Sequence, residues 1–304
     1  MTFSGRVLCG VGGLYEVRIV RNGCAEHVFC RARGALKKND GRLLCGDNVR
    51  VLEENGEAVI DTCFPRKNSL IRPPLANLDY LFLVTAAASP APSYSTIDKL
   101  TAIAVHNGIR PVVVVTKADL SAELTERTVS IYRRAGFPVF SVAAGEELSA
   151  LSGYVDEVVK DGVCAAFAGA SGVGKSTLMN RLFPHLSLTT GEVSRKIERG
   201  RHTTRSAKLY EIGEDGHAGF LADTPGFSML DFLRFDFFTL EELPGTFPEF
   251  EPFFRECRYA DCTHTGEKEC GVAHAVRDGR IAASRHESYC ELYAVLREKA
   301  RRYD

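Results

Sequence analysis

The 304-residue chain has no apolar run long enough to cross a bilayer; its longest, "YLFLVTAAA" at 80–88, falls well short of the roughly 20 residues a membrane helix needs. Neither charge sign is in excess. With 38 Lys and Arg against 39 Asp and Glu, no global field draws the chain to nucleic acid, and any such binding must rest on a local patch. The ten cysteines are too sparse for a disulfide scaffold. The opening "MTFSGRVLCG" lacks the apolar core of a signal peptide, and there is no internal repeat or low-complexity tract. These absences leave a cytoplasmic, membrane-free protein, expected to be a monomer.

Hydrophobic content of 45% and charged content of 25% suit a folded chain, and the length suits two or three domains. Residues 1–66 read as short strands broken by Gly and Asn, such as "RVLCGVGGLYEVRIV" and "CGDNVRVLEENGEAVIDTC", which predicts a small antiparallel β-barrel. "CFPRKNSLIRPP" reads as a basic linker. From there to residue 230 compact β-branched runs alternate with helix-like segments: "LDYLFLVTAA", "TIDKLTAIAVHNG", "RPVVVVTKADL", "FPVFSVAAG", "CAAFAGASG" and "AGFLADTPGF". That is the pattern of an α/β domain with a parallel sheet. Residues 231–304 turn to Phe, Pro and charge, carry a Cys/His group and end in the helix-like "SYCELYAVLREKARR".

Gly169, Ala170, Ser171, Gly172, Val173, Gly174, Lys175, Ser176 and Thr177 spell "GASGVGKST", a phosphate loop between a strand and a helix. Its glycines let backbone N–H groups turn in around phosphates. Lys175 can reach the β and γ oxygens, and the Ser176 hydroxyl can ligate Mg²⁺. "ADTPGF" follows about fifty residues later, with Asp223 placed to hold the magnesium through water and the Gly226 amide to sense the γ-phosphate. Between them lies the basic segment "GEVSRKIERGRHTTRSAKLYE". Its position is that of a switch, whose Mg²⁺ ligand is Thr204 or, alternatively, Thr203; its charge suits docking on a phosphate backbone.

In "TKAD", Thr116, Lys117, Ala118 and Asp119 form a base-reading loop: the Asp119 carboxylate can accept from guanine N1–H and the exocyclic amine, and the Lys117 stem can lie along the base. Thr116 stands where Asn is usual, so one bridging amide is missing. Val142 and Ala143 in "SVAAGEEL" would offer companion N–H groups to the base. The two base loops precede the phosphate loop, the reverse of the ordinary order. Cutting a parallel sheet at one loop and rejoining its termini keeps every spatial neighbour, so the chain reads as a circularly permuted G domain.

Cys257, Cys262, His264 and Cys270 give C-x4-C-x-H-x5-C, three thiolates and an imidazole suited to one tetrahedral structural Zn²⁺. The remaining cysteines are expected as small core residues, and His274 as a weaker spare ligand.

Taken together, "RARG", "GDNVRV", "RKNSLIRP", "TIDKL", "TKAD", "GASGVGKST", "GRHTT", "DTPGF" and the Cys/His group make the chain resemble the ribosome small-subunit-dependent GTPases, a permuted family acting late in small-subunit assembly. The resemblance spans nearly the whole chain. It implies an OB-fold N-terminal domain that binds RNA, a central P-loop GTPase and a C-terminal helical zinc domain. It further implies Mg²⁺ with GTP, release of GDP, and hydrolysis stimulated on the small ribosomal subunit and its rRNA. In that family a hydrophobic residue replaces the catalytic glutamine after the switch glycine, here Phe227, and His202 is the implied substitute. This chain departs at Thr116 and at Arg205, where a third Thr is usual. Two rival classes share parts of the pattern, a P-loop ATPase or kinase and a non-catalytic RNA-binding adaptor.

Overall fold

A computed structural model describes residues 1–34, 42–54, 56–186, 207–213, 217–223 and 231–303. Five strands, β1 (Thr2–Val11), β2 (Leu14–Arg21), β3 (Cys24–Ala32), β4 (Asn48–Glu54) and β5 (Glu57–Cys63), close a barrel in the order β1-β2-β3-β5-β4. Period-two alternation sends Val7, Val17, Ile19, Val49, Val51 and Ile60 inward, where each is buried. The expected all-antiparallel barrel needs one correction. β3 and β5 pair in parallel, with Arg31 opposite Val59 and Ala32 opposite Ile60. β4 pairs antiparallel with both β1 and β5, so β5 returns along β3 in the same direction and closes the barrel without a free edge.

The segment read as a linker is ordered by specific bonds. Arg66 donates from Nε and Nη2 to the buried Asp47 at 2.6 and 2.8 Å, and β6 (Ser69–Leu70) pairs antiparallel with β7 (Leu75–Ala76). The cysteine expectation also needs correcting: Cys30, Cys45 and Cys164 are buried, but Cys24 is exposed and Cys9, Cys63 and Cys290 are only half-buried.

A second sheet contains β8 (Tyr80–Ala86), β9 (Arg110–Thr116), β10 (Val139–Val142), β11 (Cys164–Ala168), β12 (Lys208–Ile212) and β13 (Gly219–Asp223), in the order β10-β9-β8-β11-β13-β12. β9 with β10 and β11 with β13 are parallel; β12 is an antiparallel edge strand. Every residue of β8 and β11 is buried, which is why they read as continuous apolar runs. The helices are α1 (Tyr94–His106), α2 (Ala122–Arg134), α3 (Ser149–Val158), α4 (Lys175–Leu182), α5 (Gly271–Arg277) and α6 (Ala283–Tyr303). Ser121 starts α2 as its cap, accepting the Leu124 N–H at 3.2 Å. None among the described residues is long and apolar enough to cross a membrane.

By compactness, one unit holds residues 1–80, 148–167 and the described part of 176–227; the other holds 81–147, 168–175 and the described part of 228–304. In the first, the barrel is tied to β13 by Arg6, which donates to Gly162 O at 2.6 Å and lies 4.7 Å over the Phe220 ring, and to β12 by the Arg18–Glu211 ion pair. In the second, α6 is anchored by Arg285, only 1% exposed at its side chain. It reaches Asp98 of α1 at 2.9 Å, Thr101 at 2.8 Å and Glu249 at 2.6 and 3.1 Å, with its guanidinium 4.5 Å over Phe247.

Candidate functional site

β11 ends at Ala168 and the chain turns at once into the phosphate loop. A Cβ on Gly169 would come within 2.3 Å of Val84 O, so only glycine lets the loop leave this close to β8. Ala170, Ser171 and Gly172 are exposed, Val173 is buried, and Gly174 holds φ +88°, a left-handed conformation that costs glycine nothing. Lys175 opens α4, followed by the half-buried Ser176 and the exposed Thr177. The first turn of a helix is where backbone N–H groups have no partner within the helix itself, the arrangement that suits an anion.

β9 delivers the base loop beside it. Thr116 is 6% exposed, and its hydroxyl can donate to Thr85 O at 3.1 Å or to Val173 O of the phosphate loop. The bridge that sequence left missing is therefore made by a hydroxyl in place of an amide. Lys117, at φ +53°, donates from Nζ to Gly172 O at 2.9 Å and to Ser89 O. Ala118 opens a single 3₁₀ turn, Ala118–Leu120, that presents Asp119 to solvent. Its Oδ1 accepts the Ala144 N–H at 2.8 Å. Val142 is the buried last residue of β10, and the Ala143 N–H donates to Glu146 Oε2 at 3.1 Å. So the companion loop reaches Asp119 through Ala144, one position beyond the pair read from sequence.

Asp223 is the last residue of β13, whose parallel register places Ala222 opposite Ala166 of β11. Being parallel to β11, β13 ends in the same direction along the sheet. His202, Thr203, Thr204, Gly226 and Phe227 lie outside the described residues, as do Arg195 to Arg205 of the basic segment. Lys208 and Glu211 of that segment fall within β12, a strand that the charge run concealed.

The ligand atoms of Cys257, Cys262, His264 and Cys270 all lie within 4.8 Å of one another. His264 Nδ1 stands 3.6 Å from Cys257 Sγ and 3.5 Å from Cys270 Sγ. Tetrahedral zinc with ordinary Zn–S and Zn–N bonds sets that separation at about 3.6 Å, so the cluster fits the ion. Phe254 stacks on the His264 ring at 4.8 Å, and the Gly271 and Ala273 N–H groups donate to Cys257 and Cys270 Sγ at 3.3 and 3.4 Å. Burial pushes the Cys262 thiol up to about 12 and the Cys270 thiol upward, and lowers His264. Zinc binding would exchange these protons for the ion. His274 takes no part: its Nε2 lies 3.3 Å from Lys268 O.

Residues 63–233 match the family model described as RsgA GTPase, and residues 4–60 match that of the RsgA N-terminal domain. The chain belongs to the RsgA GTPase family. It is 38% identical to the small ribosomal subunit biogenesis GTPase RsgA of Alkaliphilus metalliredigens, over 99% of each chain. Against the protein of that name from Carboxydothermus hydrogenoformans it is 40% identical, over 94% of this chain and 95% of the relative. The crystal structure of YjeQ from Thermotoga maritima superposes with a TM-score of 0.79 at 32% identity, covering 97% of this chain and 99% of that one. That of YloQ, described as a circularly permuted GTPase, gives 0.78 at 30% identity, covering 98% and 96%. As an RsgA family member the chain is a GTP-hydrolysing enzyme, which works on GTP with Mg²⁺.

Proposed function

We propose that the chain is a GTPase that docks on the small ribosomal subunit late in its maturation and hydrolyses GTP to GDP and phosphate in response. The observation that carries this is the joining of a "TKAD" base loop to a "GKS" phosphate loop, Thr116 to Val173 and Lys117 to Gly172, in a chain of RsgA order. Asp119 reads guanine, with Thr116, Lys117, Ala118, Val142 and Ala143 shaping the base site. Gly169 to Thr177 cradle the phosphates. Ser176 and Thr204, or Thr203 in its place, would hold Mg²⁺, with Asp223 acting through water and Gly226 sensing the γ-phosphate.

Magnesium, when bound, neutralises charge that develops on the phosphates. What the chain itself supplies is positioning: Lys175 against the β and γ oxygens, the α4 N–H groups around them, and His202 orienting the attacking water where Phe227 cannot. The domains are residues 1–66, an OB barrel contacting rRNA; 67–230, the permuted GTPase; and 231–304, a helical domain built on one structural zinc. The protein acts as a cytoplasmic monomer. The tests are His202→Ala and Lys175→Ala. The first should bind GTP normally yet lose stimulation by small subunits, and normal stimulation would remove His202 from catalysis. The second should lose GTP hydrolysis altogether, and retained turnover would defeat the reading.

A further inference from the structure

β12 is the edge of the second sheet, and among the described residues its single ladder partner is β13. An edge strand held from one side is among the first parts of a sheet to open unless neighbouring groups hold it. Here the barrel grips it. The Arg18 guanidinium of β2 pairs with Glu211, the Lys208 ammonium stands 3.9 Å from Glu16 Oε2, and the Cys45 thiol lies 3.3 Å from Ala207 O. Arg18 and Glu211 are both half-buried, so salt screens the pair less than it would at an open surface. The neighbouring strand is gripped too: Arg6 and Arg18 lie 4.7 and 5.8 Å over the Phe220 ring of β13, and Phe220 stands opposite Glu211 in the ladder. Three positions along the same ladder, Lys208 stands opposite Asp223.

We infer that the barrel takes part in nucleotide hydrolysis through Arg18 and Glu16, positioning residues that hold the β12–β13 ladder closed and so fix the backbone of Asp223. This rests on the reading of Asp223 as the residue that holds magnesium through water. The charges are reciprocal: the barrel supplies Glu16 and Arg18, β12 supplies Lys208 and Glu211, and a slip of β12 by one residue would turn both of its charges away. With the grip lost, the Lys208–Asp223 end of the ladder opens more often, and magnesium affinity falls by the fraction of molecules still competent. The base loop at 116–119 and the phosphate loop at 169–177 take no part in these contacts, so binding of nucleotide without the metal should be untouched.

The test uses the zinc-loaded full chain: a Mg²⁺ titration of the binding of a non-hydrolysable GTP analogue, beside GDP affinity measured in EDTA. Arg18→Glu, which sets like charges face to face, should raise the Mg²⁺ concentration at half-maximal binding at least about fivefold, the lower end of the coupling that one site exerts on another. GDP affinity in EDTA should stay within about twofold of wild type, which a general loss of folded chain would not allow. The swap of Arg18→Glu with Glu211→Arg should return the midpoint to within about twofold of wild type. Arg33, whose partners Glu54 and Asp61 belong to the barrel, is the control, and Arg33→Glu should leave the midpoint in place. An unmoved midpoint in Arg18→Glu, a parallel fall in its GDP affinity, a swap that restores nothing, or an equal shift in Arg33→Glu each overturns the inference. If Arg18→Glu does not fold, Glu211→Gln, which removes the charge that Arg18 pairs with, carries the same comparison. A wild-type chain whose analogue binding is independent of Mg²⁺ would instead overturn the reading of the nucleotide site.

Discussion

Replacing Arg285 with Met keeps most of the side-chain volume and deletes the charge that joins α6 to α1. Burial works to lower the Arg285 pKa, but the charges of Asp98 and Glu249 outweigh it and hold the guanidinium above its ordinary value. In Arg285→Met, Glu249 loses both of its bonds, and Asp98, 0% exposed, keeps only the Tyr132 hydroxyl at 2.8 Å, its Oδ2 already lacking a partner. Breaking a buried pair from one side costs about 3–5 kcal/mol, a large share of the roughly 5–15 kcal/mol that stabilises a domain. For a domain of this size each kcal/mol moves the melting temperature by about 2–4 °C, so the variant should melt about 6–20 °C lower. Thermal unfolding of the zinc-loaded chain, followed by circular dichroism, reads this directly. Adding Asp98→Asn should recover part of the loss, because the stranded charge is removed. A fall of less than about 2 °C, under about 1 kcal/mol on the same scale, would refute the reasoning, as would strict additivity of the two changes.

Cys262→Ser should take zinc, measured by elemental analysis, from about one ion per chain to a small fraction of that, and should lower the stability of the C-terminal segment; a wild-type chain that folds without metal would count against the site. Asp119→Asn should exchange guanine preference for xanthine in a nucleotide-binding assay, and unaltered GTP affinity would remove Asp119 from base reading. Glu267 is raised by burial, but bonds from the Thr263 hydroxyl and from the N–H groups of Thr263 and Gly266 outweigh this and draw it down to about 2. Its contribution to stability is therefore complete above its ordinary value of 4.5 and is lost as pH falls through about 2. The melting gap between wild type and Glu267→Gln should be constant from pH 7 to about pH 5 and shrink on further acidification; a gap independent of pH speaks against those bonds.

Much of the fold was legible because burial leaves periodic traces. β8, β9 and β11 are buried through most of their length and read as apolar runs, while the barrel strands alternate. The zinc cluster was legible because its four ligands lie within fourteen residues of one another, where spacing alone constrains geometry. What stayed hidden depends on contacts distant in sequence. The parallel β3–β5 closure follows from chain path rather than pattern. The Thr116 bond to Val173 spans 57 positions, so the missing amide was visible and its replacement was not. β12 was hidden because Lys208 and Glu211 read as part of a charge run, although Leu209 and Ile212 are both buried, one on each face of the strand. Nothing in the local pattern singled out Arg285; only packing reveals the carboxylates of Asp98 and Glu249 facing it.

The most direct measurement is the rate of GTP and of ATP hydrolysis by the full chain, each with and without purified small ribosomal subunits. The expected result is slow hydrolysis of GTP alone, strong acceleration by small subunits but not by large ones, and little turnover of ATP in any condition. ATP hydrolysis equal to that of GTP, or a GTP rate unmoved by small subunits, would contradict it.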